Sequence, residues 1–171
     1  GILLPVLPDR IPSVVRTRIE ELDPETIFIL GGTNAVSQAV ADDVADLIGS
    51  DNVRRISGSD RFDTANKVAL QVIRGLGGSY DGTAFVATGL KFPDALSASP
   101  LSAAKRWPTF LAGPSGLSAE TIDTMDMAEV TDVIILGGDS AISAATEQAL
   151  KARFGSAHVT RISGNDRYET S

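Results

Sequence analysis

Two ten-residue segments of the chain carry almost the same set of charged and hydrogen-bonding side chains. They read RISGSDRFDT from Arg55 and RISGNDRYET from Arg161, so each has an Asp-Arg pair beside an aromatic ring. Such a pair could face the phosphate or hydroxyl groups of a ligand, because a guanidinium binds oxyanions through paired hydrogen bonds. It could equally cap the following helix and form a surface ion pair, which contributes about 0–1 kcal/mol. The candidate contact residues in the two segments are Ser57, Asp60, Arg61, Asp166 and Arg167.

A second repeated motif, Leu-Gly-Gly followed by two polar residues, could bind an anion through its backbone. It occupies 30–34 in one copy and 136–140 in the other, between an apolar run and a helix-like pattern. Glycines there permit positive φ and close approach of a ligand, and a helix start presents free N–H groups. A tight turn closed by a polar helix cap explains the same residues. The candidates are Gly31, Gly32, Thr33, Asn34, Gly138, Asp139 and Ser140.

The segment ATGLKFPDALSASPLSA at 87–103 joins a strand end, a Phe-Pro entry and a helix built from small residues. Asp94 lies near the predicted start of that helix, where the helix dipole favours a carboxylate. Small residues let a ligand approach closely, but they equally allow tight packing on the sheet or on a sibling module. The candidate contact residues here are Thr88, Lys91, Asp94 and Ser97.

The residue types present argue against several catalytic chemistries. The chain has no cysteine, which excludes disulfides, thiolate metal sites and thiol catalysis. Its single histidine, His158, lies in a strand-like segment, and no G-x-S-x-G nucleophile motif accompanies it. Neither the G-x-G-x-x-G nor the G-x-x-x-x-G-K-[ST] nucleotide motif occurs, and the acids show no D-x-D or H-E-x-x-H spacing. We therefore predict no catalytic residue, no metal site and no cofactor.

The charge and hydropathy of the chain argue against two kinds of partner, nucleic acids and membranes. The net charge is −7, and no basic stripe of the kind that binds nucleic acid is present. No apolar run approaches the roughly 20 residues that a membrane-spanning helix needs. An anionic ligand would therefore have to be held by individual arginines or backbone amides, and we expect neither nucleic acid nor membrane insertion.

The repeated motifs recur at one spacing, which points to duplicated elements. With an offset of 106 residues, 17 of 39 positions are identical between 27–65 and 133–171. Apolar runs at every position favour a parallel sheet covered on both faces. Strands are predicted near 2–6, 26–30, 53–56, 83–88, 108–112, 132–136 and 158–162. Helices are predicted near 12–22, 36–48, 62–75, 93–104, 118–127 and 142–153.

These elements predict two incomplete modules with a 106-residue period. The segment 1–78 holds three β–α pairs and lacks the opening pair, whereas 79–171 lacks the last helix. The glycine-rich segment at 74–83 is the predicted linker. We expect a chain of this kind to be a piece of a longer array.

The three blocks VATGLKFPDALSASPLSA, VIILGGDSAIS and RISGSDRFDTANKVA together resemble the cell wall-binding repeat 2 family. The resemblance covers nearly all of 1–171, in two partial copies. Its FPDAL block falls on 92–96, its LGG block on 30–32 and 136–138, and its GxDR[FY]xT block on 58–64 and 164–170. Only one copy of FPDAL is present, so binding by this chain could require several chains to complete one another.

The resemblance implies both a fold and a role. The family fold is an α/β, Toprim-like three-layer module with mostly parallel sheets, often packed three together. The family role is non-catalytic attachment of exported surface proteins to an anionic polymer of the Gram-positive cell wall, a teichoic-acid-like or acidic polysaccharide. The implied location is secreted, at the cell wall, and the implied partners are that polymer and sibling repeats, as a dimer or trimer.

Two other functions stay open on the sequence alone. The small-residue faces and unmatched edges would suit a scaffold whose repeats mainly associate with each other. A metal-dependent phosphoester enzyme of Toprim-like type would instead need several carboxylates converging on a divalent cation.

Overall fold

A computed structural model describes residues 1–90, 96 and 99–163, and it contains helices and strands in alternation. The helices are α1 (Ser13–Leu22), α2 (Gln38–Ile48), α3 (Arg61–Leu76), α4 (Ser99–Lys105), α5 (Ala119–Met127) and α6 (Ala144–Phe154). The strands are β1 (Ile27–Leu30), β2 (Val53–Ile56), β3 (Thr83–Thr88), β4 (Thr109–Ala112), β5 (Asp132–Leu136) and β6 (Val159–Ile162). Short 3-10 turns occupy Ser50–Asn52, Gly77–Ser79 and Ser156–His158. Over the described residues, no helix is long and apolar enough to cross a membrane.

All strand pairs in the two sheets are parallel, as the apolar runs predicted. One sheet pairs β1 with β2, and the other has the order β4-β3-β5-β6. Parallel neighbours require a crossover, and helices supply it in each connection. The α/β class with mostly parallel sheets is therefore confirmed.

The chain divides into two compact units, Gly1–Asp60 (unit 1) and Arg61–Ser171 (unit 2). Helix α3 therefore belongs to unit 2, although the sequence analysis placed it in the module 1–78. The reason is packing: Ala69 of α3 is buried in one core with Val86 of β3 and Phe110 of β4. The compact units and the sequence modules thus have different boundaries.

The four-stranded sheet of unit 2 is covered on both faces. Residues 84–88 of β3 are all buried, as expected for a strand between two neighbours. On one face Val86 and Ile135 pack among α3, α5 and α6. On the other, Phe85 meets the Trp107 ring edge-on with 5.6 Å between ring centres.

Two elements of unit 2 have the bounds of elements of unit 1 shifted by 106 residues. Both ends of α6 follow those of α2 by that interval, and the same holds for β6 and β2. Each of these helices begins after a serine that caps it: the Oγ of Ser37 accepts from the Val40 N–H, and that of Ser143 from the Thr146 N–H. A capping serine satisfies one of the four free N–H groups of a helix start.

The predicted strand at 2–6 is wrong, because these residues form no strand. Its counterpart at the 106-residue spacing is β4, the edge strand that pairs with β3. The sheet of unit 1 pairs β1 with β2 alone among the described residues, so the backbone of 2–6 makes no ladder with it. The predicted helix at 93–104 is seen from Ser99, since 91–95 and 97–98 lie outside the described residues.

Candidate functional site

The carboxyl edge of the unit 2 sheet gathers several of the predicted contact residues. Thr88 is the last residue of β3, and Gly138, Asp139 and Ser140 follow the neighbouring strand β5. Because β3 and β5 run parallel in the register Val86↔Ile135, their carboxyl ends meet. Asp139 and Ser140 are exposed, whereas Thr88 is buried and its Oγ1 accepts from the Leu90 N–H at 3.3 Å. Polar loops at this edge are where open α/β sheets usually hold ligands.

Arg61 adds a cation at the same edge. It is the first residue of α3 and its Nη1 donates to the Gly89 carbonyl at 2.9 Å. The adjacent Phe62 ring packs against Gly89 so closely that a Cβ on that glycine would lie 2.5 Å from the ring. The Asp-Arg motif therefore places Arg61 beside the end of β3. Asp60 is exposed and ends unit 1.

The corresponding edge of unit 1 holds the other predicted group. Gly31, Gly32, Thr33 and Asn34 follow β1, and Ser57 follows the neighbouring strand β2. Thr33 and Asn34 are exposed, while Ser57 is partly buried. The structure thus places these candidate residues of unit 1 at the carboxyl ends of its two paired strands.

The Leu-Gly-Gly motif forms a tight turn. Gly31 has φ 109° and Gly137 has φ 97°, conformations that favour glycine. The Gly31 N–H donates to the Ile56 carbonyl at 2.8 Å, which ties the turn to the next strand. The helix begins at Gln38, after the Ser37 cap, so the residues between Gly32 and Ser37 separate the glycine turn from the helix start. This geometry matches the turn interpretation of the motif.

The first arginine of each RIS segment holds this turn in place, a role that the sequence analysis missed. Arg55 Nη1 donates to the carbonyls of Gly31 and Val36, both at 2.8 Å, and Nη2 donates to that of Ser37 at 3.2 Å. Arg161 Nη1 donates to Gly137 at 2.7 Å. The identical arginine opening both repeats was the available signal.

In unit 2 this arginine is also paired with an acid. Arg161 Nε donates to Glu147 Oε2 at 2.8 Å, and Lys151 Nζ lies 2.6 Å from Glu147 Oε1. The hydrogen bonds from Lys151 and then Arg161 lower the pKa of Glu147 below its ordinary value. The carboxylate stays charged well into the acid range, and Arg161 stays neutralised by it.

The remaining predictions fall partly outside the described residues. The positions not described are Lys91, Asp94, Ser97, Asp166 and Arg167. The Nδ1 of His158 lies 2.9 Å from Asp132 Oδ1 at the surface. Over the described ranges, no group of three or more histidines and acids is arranged to hold a metal ion.

Parallel α/β sheets with polar loops at their carboxyl edges define the general class of this chain. Residues 55–147, more than half of it, match the family model of cell wall binding domain 2 (CWB2). The chain belongs to the cell wall binding domain 2 family, which confirms the resemblance drawn from its motifs.

Relatives of known identity agree with this assignment. The chain is 31% identical over 161 residues to the N-acetylmuramoyl-L-alanine amidase LytC of Bacillus subtilis (strain 168), covering 94% of this chain and 30% of that protein. It is 32% identical to the amidase enhancer of the same organism, covering 95% and 20%. The solved structure of Cwp8 from Clostridium difficile matches with TM-score 0.79 at 29% identity, covering 96% of this chain and 27% of that one. The chain thus spans less than a third of each of these proteins.

Proposed function

We propose that the chain is a non-catalytic anchoring module that binds an anionic polymer of the Gram-positive cell wall and so holds a surface protein there. The observation that carries this proposal is the carboxyl edge of unit 2, where Arg61 at the start of α3 contacts Gly89 after β3, and Asp139 and Ser140 follow the neighbouring strand β5. Such groups can hydrogen-bond the hydroxyl and phosphate groups of a polymer. Family membership supports wall binding as the role.

The charge of the chain determines how such binding would work. With a net charge of −7, the molecule as a whole repels an anionic polymer. Attraction must come from cations and backbone N–H groups placed locally, as Arg61 is beside Gly89. The proposed contact set also includes Lys91, Asp94, Ser97, Asp166 and Arg167, which lie outside the described residues. The tandem Toprim-like three-layer modules are part of the same proposal.

The relatives suggest the setting in which the module acts. An amidase and an amidase enhancer each contain a region like this chain, which makes up 30% and 20% of their respective lengths. We infer that the chain likewise serves as the wall-attaching part of a larger secreted protein. Weak contacts in several linked modules then combine into one strong attachment.

Retention on purified wall tests the function directly. The chain is incubated with isolated Gram-positive wall before and after chemical removal of its anionic polymer, and the bound fraction is measured. We expect retention on intact wall and loss on stripped wall. Arg61→Ala should weaken retention, whereas Arg74→Ala, an exposed arginine at the other end of α3, should not. Equal retention on stripped wall contradicts the proposal.

A self-associating scaffold is the second candidate, favoured by one observation in unit 1. A groove of about 690 Å³ lies between residues 1–6, α1 and β1, and its lining is largely apolar. Leu3 and Phe28 on this groove are 80% and 42% exposed. Apolar surface of this kind commonly marks an interaction site. Light scattering at increasing concentration should then show a dimer or trimer, and a monomer throughout would exclude this function.

A further inference from the structure

The arginine that holds the glycine turn has different charged neighbours in the two units. In unit 2, Arg161 contacts Glu147, and Asp139 Oδ1 lies 3.6 Å from its Nη2. The counterparts of these two acids, 106 residues earlier, are Ala41 and Thr33. Across the part of the chain that the structure describes, no carboxylate forms an ion pair with Arg55. One arginine is therefore neutralised within its own unit and the other is not.

The hydrogen bonds of Arg55 leave one side of its guanidinium available. A guanidinium has five N–H donors, and Arg55 uses three of them on the carbonyls of Gly31, Val36 and Ser37. Nε–H and one Nη2–H have no partner among the described residues. Nε–H and an Nη2–H together form the edge through which a guanidinium binds a carboxylate or phosphate in a paired geometry. In unit 2 the same Nε donates to Glu147.

The partial burial of Arg55 and its position beside the glycine turn favour ligand binding at this edge of the guanidinium. Arg55 is partly exposed, so its charge is only partly solvated by water. It braces the turn that presents exposed Thr33 and Asn34. At the position of Glu147, unit 1 has the methyl group of Ala41, so an anion approaching Arg55 meets no competing side-chain carboxylate there.

We propose that the Nε–Nη2 edge of Arg55 is an oxyanion subsite of unit 1, and that Glu147 closes the corresponding edge of Arg161. The ligand group is a phosphate or a carboxylate. That this group belongs to a wall polymer rests on the function proposed above, whereas the subsite itself rests on the contacts of Arg55. The two units then contribute unequally to binding, although their sequences repeat.

Side-chain NMR of the whole chain tests the subsite with simple probes. The Nε–Hε signals of Arg55 and Arg161 are followed while inorganic phosphate, and separately acetate, is added at constant ionic strength. We expect a saturable shift of Arg55 and none of Arg161. A response to phosphate alone identifies a phosphate subsite, and a response to acetate alone a carboxylate subsite. Equal responses of both arginines, or none, overturn the proposal.

Exchanging the acid between units separates the subsite from a general effect of charge. Ala41→Glu gives Arg55 the partner that Arg161 has, and we expect phosphate to bind about tenfold more weakly or worse. Ala39→Glu adds the same charge at an exposed position of the same helix and should change the affinity less than about twofold. Equal weakening by both variants would show that only net charge matters, and would overturn the proposal.

The reverse exchange decides the question if Ala41→Glu does not fold. The double variant Asp139→Thr with Glu147→Ala removes both acids that face Arg161. It is compared with the same variant carrying Lys151→Ala, because Lys151 also loses its partner Glu147. We expect the Nε–Hε signal of Arg161 to respond to phosphate and the number of bound phosphates to double. An unresponsive Arg161 in the folded double variant overturns the proposal.

Wall retention of the same variants separates this subsite from the anchoring function. If Ala41→Glu loses phosphate but stays on the wall as well as Ala39→Glu, Arg55 does not hold the polymer, and the anchoring function stands. If the wild-type chain binds phosphate at Arg55 but is not retained on wall, the anchoring function fails and the subsite stands.

Discussion

At the scale of single residues, the repeated motifs divide into those that build the turn and those that face outwards. Arg55 and Arg161 donate to backbone carbonyls of the glycine turn, whereas Arg61 stands beside the end of β3. Only the contacts of each arginine reveal what it does. The sequence marked all three as repeated, because repetition records descent and not geometry.

Gly89 is predicted to be intolerant of any side chain. A Cβ at this position would lie 2.5 Å from Cε1 of Phe62, so the ring must move out of its packed position. Gly89→Ala should lower the free energy of unfolding by about 1–3 kcal/mol, as overpacking does. Urea unfolding followed by the fluorescence of Trp107, the single tryptophan, measures this. Gly138→Ala, with nothing within 4 Å of the added Cβ, is the control and should be within about 0.5 kcal/mol of wild type.

Glu147 is predicted to make the stability of unit 2 sensitive to acid. Its pKa is lowered in the fold by Lys151 and Arg161, so its stabilising contribution is present above the ordinary pKa of about 4.3 and is lost as the pH falls through the folded value. Glu147→Gln should therefore be less stable than wild type at about pH 7, and the difference should shrink below about pH 4. Urea unfolding at several pH values gives the comparison.

The control for this prediction is Glu129→Gln. Glu129 is exposed and forms no ion pair with the described residues. Its substitution should give the same small difference from wild type at every pH. A constant difference for Glu147→Gln would contradict the role assigned to its charge.

At the scale of elements, α3 belongs to the module 1–78 by its sequence but packs in the core of unit 2. Its apolar face packs Ala69, Leu70 and Ile73 into the core of unit 2. Its buried Asn66 donates to Thr121 of α5 at 3.1 Å, a contact 55 residues apart in the chain. Periodicity predicted this helix well, but its apolar stripe fits any apolar face, so only tertiary contacts assign it.

Truncation tests whether the folding unit begins at residue 61, where the compact unit begins, or at residue 79, where the predicted module begins. The fragment 61–171 should unfold cooperatively by Trp107 fluorescence and circular dichroism. The fragment 79–171, cut at the predicted module boundary, should lose most of that cooperativity. Removing α3 uncovers Phe110 and Val86, and each large side chain returned to water costs about 1.5–3 kcal/mol. The fragment 57–171 should match 61–171, and equal stability of all three would show that α3 is dispensable.

At the scale of the whole molecule, the two units differ in how completely their strands are covered. In unit 2, β3 lies between β4 and β5 and is buried along nearly its whole length. In unit 1, β1 pairs with β2, and two of its four residues, Phe28 and Leu30, are exposed. Isolated two-stranded sheets are only marginally stable. Unit 1 should therefore open locally at a lower free-energy cost than unit 2.

Hydrogen exchange should reveal this inequality. Backbone amides of β3 and β5 should exchange about tenfold more slowly than those of β1, or slower still, because local opening is easiest where few apolar contacts are lost. Exchange measured by NMR or mass spectrometry on the whole chain makes the comparison. Equal protection of β1 and β3 would mean that a two-stranded sheet is no easier to open in this chain than a four-stranded one.

Much of this protein follows from its sequence alone. Apolar runs and helical periodicity predicted the α/β class, the parallel sheets and nearly all of the strands, because both signals are local. The repeated blocks pointed to the family, and the loops at strand ends pointed to the carboxyl edges as the site. These conclusions need only the order of residues and the geometry of strands and helices.

The tertiary structure decided the rest, since it depends on which groups meet. Residues 2–6 have strand-like sequence but join no sheet, and a strand exists only when a neighbour makes its hydrogen bonds. The helix α3 follows one repeat but packs in unit 2. The repeats share Arg55 and Arg161, yet Glu147 faces only the second, so nearly identical sequences carry different charges at the same turn.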